Sequence, residues 1–527
     1  TLRDGGYYTN WKFNDSKIRE YLDAINIAGI DAVEIGYRTI NSDKYLGPYA
    51  YSPESLIKAL KVPKKLQVSV MINSSDILNQ GSAIDSINKI FPFLCNDSLV
   101  DIVRIATNIG DLEYLENAIK LLKNKGYTVC LNLMHITQFA ENLDLLPASF
   151  NNLSMDVLYM GDSTGSLYPD VLKKLISSLK NKWNGEIGIH AHDNQGMALQ
   201  NTILAENYGA TWLDCTVLGM GRGPGNAKTE QLIIEMNKDD LNIRNLVKLQ
   251  ESINSYFQPL LEKYKWGSNT YYYLSGKYQI HPSFITAMAN DGRYEPLDIL
   301  SLIDNIRYKE TRFFTDEKLL NAKNHYNKSS PGNWSPEKKI KDRNILLLAP
   351  GGSLKDMQET IEIFIKNRNC IVLALNYNIG IDKKLIDFFV AIDPFRITLD
   401  IPSYCKNDIP LITPVSLLPE FIKNDIPNEK LLDFGISIND SDFHFFKTGC
   451  KIPNGLSLPY ALSIANSGKA KFIFMAGFDG YPVGDSRNKD VENTLQKYLN
   501  LKEKIDICSI TETSYKYLPS KSIYAPQ

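Results

Sequence analysis

Two histidines in HAHDNQG, residues 190–196, are the strongest local sign of chemistry in the chain. In a strand, side chains two apart share a face, so His190 and His192 can reach one ion while Ala191 turns away. An isolated pair of this kind is as readily two core histidines. Far off in sequence, TLRDGG places Arg3 and Asp4 side by side at the start of the chain. If the fold brings the two motifs to one mouth, Asp4 completes an oxygen and nitrogen donor set that leaves positions open to substrate and water. Arg3 beside it suits an enolate oxygen. The plainer roles are a rim salt bridge for Arg3 and a helix cap or turn for Asp4.

The elements that would position them are legible as alternating short β-branched runs and longer helical patterns over the first 230 or so residues. The runs are Thr1–Leu2, Ala32–Gly36, Leu66–Ile72, Val100–Ala106, Thr128–Met134, Asp156–Met160, Gly185–His190 and Thr211–Val217. Eight strands, each followed by a helix, predict an α/β fold of the closed (β/α)8 TIM-barrel type, with its chemistry at the C-terminal strand ends. Those ends carry Arg3 and Asp4, Glu34, Arg104, His135, Asp162, His190 and His192, and the glycine-rich Gly219 to Asn226. Glu34 can orient Arg3, and Arg104 can receive an anionic substrate group; each is equally an internal ion pair. Residues 1–236 are therefore expected as a barrel and 237–333 as its helical extension, where Tyr273 and His281 either fold over the mouth or pack elsewhere.

Composition narrows the class. Lys and Arg number 58 against 60 Asp and Glu, a formal net charge of −2, which gives no electrostatic hold on nucleic acid. No apolar run approaches the roughly 20 residues of a membrane span, and no basic-then-apolar leader opens the chain. Seven cysteines without CxxC spacing read as reduced thiols of a cytoplasmic protein. A homo-oligomer acting on small molecules is the expected form.

TLRDGG, HAHDNQG and LDCTVLGMGRGPGNAKTE (213–230), in that order, resemble the metallolyase superfamily. It includes 4-hydroxy-2-oxovalerate aldolase, hydroxymethylglutaryl-CoA lyase, isopropylmalate and homocitrate synthases and the carboxyltransferase domain of pyruvate carboxylase. The resemblance implies that Asp4, His190 and His192 hold a divalent cation, Mn2+ or Mg2+, with Asn226 ligating or supporting it. Arg3 would stabilise a 2-oxo acid enolate chelated by the metal. The aldolase branch is nearest, through LNLMHITQ at strand five. The aldolases carry a catalytic histidine three residues after the motif aspartate, where this chain has Tyr7. A phenol is a poor base at neutral pH unless activated, so proton transfer falls to Tyr7 with help, to His135, or to metal-bound hydroxide. Tyr7 as a packing aromatic and His135 as a core histidine remain the alternatives.

The stretch 325–343 is rich in Ser, Pro, Asn and Lys, and residues 334–343 within it are expected as the linker. Beyond it the βα rhythm restarts at Asn344–Ala349, Cys370–Leu375, Phe388–Ile392 and Lys471–Ala476, predicting a Rossmann-like α/β domain over 344–527. LLLAPGGSLKD, LALNYN and MAGFDGY resemble Rossmann-like domains related to bacterial sialyltransferases and to the pterin pyrophosphokinase-like family. The implied site for a nucleotide or nucleotide sugar is Gly351, Gly352, Ser353, Asn376 and Asp479, with a purely structural domain as the alternative. The expected activity is a class II aldol reaction between pyruvate, or a similar 2-oxo acid, and an aldehyde, with a place in surface-polysaccharide metabolism. A Claisen-type acyltransferase using acetyl-CoA and a non-catalytic metal-binding scaffold are the rivals.

Overall fold

The computed structural model describes residues 1–527 apart from 41–44, 79–81, 149, 238–240, 290–293, 295, 308–330, 378–379, 419, 439–441, 482–484, 486 and 525–527. The chain divides into two compact units, Thr1–Phe313 and Phe314–Gln527.

In the first unit seven strands lie side by side in sequence order: β1 (Ala32–Tyr37), β2 (Gln67–Asn73), β3 (Ile102–Thr107), β4 (Thr128–Leu133), β5 (Val157–Asp162), β6 (Glu186–Ala191) and β7 (Trp212–Leu213). Every ladder is parallel, and helices such as Asp15–Ile27, Leu112–Asn124 and Pro169–Lys182 intervene, an α/β architecture of the TIM-barrel-like kind. Alternation along β3 and β4 sends Val103, Ile105, Val129 and Leu131 outward to the helices, where each buried side chain contributes about 1.5–3 kcal/mol. The same alternation turns Ile102, Arg104, Cys130 and Asn132 inward. All six residues of β3 are buried, as a strand covered on both faces requires.

The expected strand at Thr1–Leu2 is corrected, because Leu2–Thr9 is a helix. The Thr1 carbonyl accepts from the Gly5 N–H to start that helix, and the Thr1 hydroxyl accepts from the Val217 N–H. The carbonyl is thereby taken from any ladder. The expected last strand, 211–217, contracts to two residues because Thr216 pairs with the returning chain at Ala227 and Thr229 instead.

At the end of β1 the ladder register slips between Glu34 and Gly36. A Cβ on Gly36 would stand 1.9 Å from the Tyr49 carbonyl oxygen and 2.9 Å from Ser52 Oγ, so the backbone itself blocks any side chain there. Gly36→Ala is expected to lower stability by about 1–3 kcal/mol, read as an earlier urea midpoint. An unchanged midpoint would show that the loop over β1 yields freely.

Helices Val247–Ser252, Gln258–Tyr264, Thr270–Lys277, Pro282–Ala289 and Pro296–Ile306 follow the barrel. They are tied to it by Trp266 Nε1–H donating to the Leu218 carbonyl at 2.9 Å, Ser268 Oγ–H to the Asn194 carbonyl at 2.7 Å and Asn194 Nδ2–H to Ser275 Oγ at 3.0 Å. The rest of the segment expected as an extension, residues 308–330, lies outside the described residues.

The second unit is an open parallel sheet in the order β12-β11-β10-β9-β8-β16-β17. Its strands are β8 (Asn344–Leu348), β9 (Ile371–Leu375), β10 (Phe388–Val390), β11 (Leu411–Thr413), β12 (Leu431–Asp433), β16 (Phe472–Ala476) and β17 (Ile507–Ser509). Along β8, Ile345 and Leu347 enter one apolar core and Leu346 and Leu348 another, so helices cover both faces. Strand order reverses between β8 and β16, the point where such sheets open a crevice at their carboxyl ends. A small sheet of β13 (Gly435–Ile438), β14 (His444–Phe446) and β15 (Gly449–Ile452) packs beside it. The expected linker 334–343 is packed here: Trp334 N–H donates to the Asp433 carbonyl, Glu337–Ile340 is helical, and Ile340 is buried. Two apolar anchors outweigh the polar residues around them. All seven cysteines are free, and no helix among the described residues is long and apolar enough to cross a membrane.

Candidate functional site

Asp4 lies in the first turn of the helix Leu2–Thr9, and His190 faces inward near the end of β6, with His192 just beyond it. Their side chains meet. His190 Nε2 is 3.6 Å from Asp4 Oδ2, the two imidazole centroids are 5.2 Å apart at 81°, and Asn226 Nδ2–H donates to Asp4 Oδ2 at 3.2 Å. A backbone bridge between His192 and Asn226 closes the group.

Three buried atoms here have no hydrogen-bond partner: His190 Nε2, His192 Nδ1 and Asn226 Oδ1. Each such atom costs about 1–3 kcal/mol, and three around one point call for a missing partner. Nitrogen and oxygen donors with a carboxylate between them fit a divalent cation. As they stand, no three His, Cys, Asp or Glu side chains among the described residues close a ligand shell. The Asp4 carboxylate is drawn onto Arg3 Nη1, and the fourth donor is an amide.

A closed circuit of ion pairs and hydrogen bonds links Asp4 and His190 through Arg3, Glu34, Arg104 and Asp214. Arg3 pairs with Asp4 and donates from Nε to Glu34 Oε2 at 2.8 Å; Arg104 Nε lies 3.5 Å from Glu34 Oε1. Arg104 grips Asp214 with two bonds of 3.2 and 2.8 Å, and Asp214 Oδ2 is 2.8 Å from His190 Nδ1. Burial alone would raise the carboxyls of Asp4 and Asp214. The Arg3 charge for the one and the Arg104 charge for the other, each with His190 nearby, hold them well below the usual range. A cavity of about 350 Å³ reaches Arg3, Asp4, His190 and Asp214.

Glu34 touches Arg3 and Arg104, the orienting and ion-pair roles open to it from sequence, and borders the same cavity. Arg104, open from sequence to a substrate anion or an internal ion pair, is paired with Asp214 and Glu34 and lies 4.0 Å over the Tyr159 ring.

Above the circuit, Tyr7 OH is 3.1 Å from Tyr37 OH, its ring meets Trp11 edge-on, and the Arg222 guanidinium stands 4.6 Å over it. His135, at the end of β4, is left-handed at φ 56°; its N–H donates to Ser163 Oγ at 3.0 Å, and its Nδ1 is buried without a partner. The His281 ring faces it with centroids 5.8 Å apart. Burial, then the Arg222 charge, pushes His135 down to about 4 and His281 well below its ordinary value, while burial and His190 push His192 down to about 3. All three imidazoles are neutral near pH 7, the form that ligates metals and accepts protons.

Tyr273 is corrected: it is 45% exposed, and its neighbour Tyr272 is the ring turned inward, with its OH 3.0 Å from Thr286 Oγ1. One helical residue is a 100° turn, and the tyrosine run gave no phase. Asp214, Tyr37, His281 and Arg222 join the site without having been assigned to it from sequence. Asp214 and Arg222 lie inside the motif from 213 to 230, where only Asn226 was assigned. His281–Pro282 had been noted as a lid candidate only.

In the second unit, Gly351, Gly352, Ser353 and Asp479 gather at the reversal point between β8 and β16, and Asn376, left-handed at φ 63°, ends the adjacent β9. The glycine turn of the implied nucleotide site is already capped. Ser353 N–H donates to Asp479 Oδ2 at 2.7 Å and Ser353 Oγ bonds Oδ1, so a carboxylate occupies the place of the anion.

A family model described as HMGL-like matches residues 1–254. An oxaloacetate decarboxylase of Mycobacterium tuberculosis is 28% identical over 245 residues, 45% of this chain and 68% of the relative. A 4-hydroxy-2-oxovalerate aldolase of Carboxydothermus hydrogenoformans is 30% identical over 243 residues, 45% of this chain and 69% of the relative. The solved N-terminal domain of a putative aldolase from Bacteroides vulgatus is 32% identical with a TM-score of 0.50, covering 56% of this chain and 96% of that one.

Proposed function

Through its first 254 residues this chain belongs to the HMGL-like family, and on that premise we propose that its barrel is a divalent-metal-dependent aldolase. It interconverts a 2-oxo acid such as pyruvate plus an aldehyde with a 4-hydroxy-2-oxo acid. The observation that carries this reading is the convergence of Asp4, His190, His192 and Asn226, with three of their buried atoms unpartnered, beside Arg3. These four residues would hold Mn2+ or Mg2+, which when bound supplies Lewis-acid polarisation of the 2-oxo group.

The chain's own residues do the rest. In the cleavage direction a base takes the proton of the C4 hydroxyl, the C3–C4 bond breaks, and its electron pair remains on the 2-oxo acid as an enolate. The Arg3 guanidinium, pinned by Glu34 and Asp4, stands ready to stabilise the enolate oxygen. A proton then returns to C3. Tyr7 occupies the position of the aldolases' histidine, and the neutral imidazoles of His135 and His281 lie beside each other with centroids 5.8 Å apart. We assign the two proton transfers to this group. Tyr272 and the helix Thr270–Lys277, bonded to the barrel through Asn194, exclude water from it.

Pyruvate methyl protons are expected to exchange with solvent deuterium in the presence of Mn2+ or Mg2+, followed by proton NMR. Exchange needs only the cation, Arg3 and a base, so it tests this chemistry before the aldehyde is known; loss of metal dependence, or no exchange with metal bound, would remove the pyruvate-enolate reading. Decarboxylation of oxaloacetate, the activity named for one relative, passes through the same enolate. Release of CO2 from oxaloacetate, weighed against aldehyde-dependent consumption of pyruvate, separates the two. For the second unit we propose a nucleotide or nucleotide-sugar ligand in the crevice where strand order reverses, linking the aldol product to surface-polysaccharide metabolism in the cytoplasm. With Asp479 capping the turn, that ligand would reach it through hydroxyl or amino donors; failure of the full-length protein to bind any nucleotide or sugar nucleotide by calorimetry removes this part.

A further inference from the structure

We propose that Asp214, clamped by Arg104, is the positioning residue that fixes His190 as its Nδ1–H tautomer and aims the free Nε2 lone pair at Asp4. The inference rests on the metal-site reading above and adds to it a residue that touches no substrate.

The geometry orients the Nδ1 edge of His190. Asp214 Oδ2 is 2.8 Å from His190 Nδ1. A carboxylate held in two bonds by a guanidinium carries no proton of its own to give, so the hydrogen in that contact sits on Nδ1. A neutral ring with its hydrogen on Nδ1 has its lone pair on Nε2. That atom is buried, has no protein partner, and stands 3.6 Å from Asp4 Oδ2, too far for a hydrogen bond. A cation between them would find both donors already turned inward.

Arg104 gives this hold its stiffness. Its guanidinium carbon lies 4.0 Å from the Tyr159 ring centroid and its Nε is 3.5 Å from Glu34, and Asp214 cannot rotate without breaking two bonds to it. The Asp214 N–H donates to the Ile189 carbonyl, which fixes its backbone one residue from His190 across the ladder. Carboxylate partners of this kind orient metal-binding histidines and raise their basicity; their loss lowers metal affinity by about 10–100-fold.

The test uses the full chain with 15N-labelled histidine. Long-range proton–nitrogen spectra read the tautomer of His190, and calorimetry reads Mn2+ affinity. Wild type is expected to show His190 with its proton on Nδ1. In Asp214→Ala the Arg104 donors face Nδ1, so the proton is expected to move to Nε2 and Mn2+ affinity to fall about 10–100-fold. Asp214→Asn keeps the shape and leaves no bare guanidinium pocket, and serves if the alanine variant does not fold; a mixture of tautomers and an intermediate affinity are expected. Arg104→Lys, which retains charge but loses the fork, is expected to move both readouts in the same direction by less. An unchanged tautomer, with Mn2+ affinity within twofold of wild type in a folded Asp214 variant, overturns the proposal. If Mn2+ binds wild type without broadening the His190 signals, the metal-site reading fails, whereas the tautomer arm still decides whether Asp214 holds the ring.

Discussion

Replacing His190 by alanine is expected to abolish metal-dependent exchange of pyruvate methyl protons, by about 10³-fold or more. Polarisation of the 2-oxo group is worth several kcal/mol, and about 1.4 kcal/mol is a factor of ten in rate. His190 is one of two imidazole donors, and its Nε2 has no other partner to retain it. The substitution also leaves Asp214 with Arg104 alone, so a circular-dichroism comparison belongs beside the rate. A folded variant that binds no Mn2+ and exchanges no protons fits the assignment. A folded variant that still exchanges protons at a rate within tenfold of wild type would place the chemistry elsewhere.

Arg3→Met should act twice. Loss of a preorganised donor at a developing oxyanion costs about 10²–10³ in rate, and removal of one partner from a buried ion pair costs about 3–5 kcal/mol of stability. Arg3 is 7% exposed and touches both Asp4 and Glu34, so two carboxylates lose their counter-charge together. The two effects can be told apart. If the guanidinium is only a structural bridge, the urea midpoint falls while exchange, measured well below it, stays within about threefold of wild type. Arg3→Lys retains a charge without the fork that binds two carboxylates, and is expected to recover part of the stability and little of the rate.

Most of the barrel was legible because its strands are short apolar runs buried on both faces, bounded by helical periodicity. β3 and β4 were readable to within two residues for that reason. Thr1–Leu2 was not, since two residues carry no period, and a helix beginning at Leu2 competes for the same carbonyl. In the second unit β11, β12 and β17 span three residues each and offer no alternation to read. The metal-type donors were found because an HxH spacing has a geometric meaning in a strand. Arg104 was placed on the correct face with an ion pair as one of two roles, but its partner was not legible, because Asp214 lies 110 residues away and nothing local links them. Asp479 was placed at the glycine turn through the resemblance, but as part of a ligand site; that it caps Ser353, 126 residues away, was not legible.

The charge circuit also makes the site a clock for assembly. Its bonds, with that from Asn226 to Asp4, span sequence separations of 31, 110 and 222 residues, joining the first helix to β1, β3 to the residue after β7, and the chain beyond β7 back to the first helix. No fragment that lacks one of those segments can hold all its members, and contacts of such range form late because long loops must close first. Binding of Mn2+ to a refolding chain would therefore report closure of the whole sheet, not the growth of any one βα unit, and each nascent chain would remain without a complete metal site until its synthesis had passed Asn226.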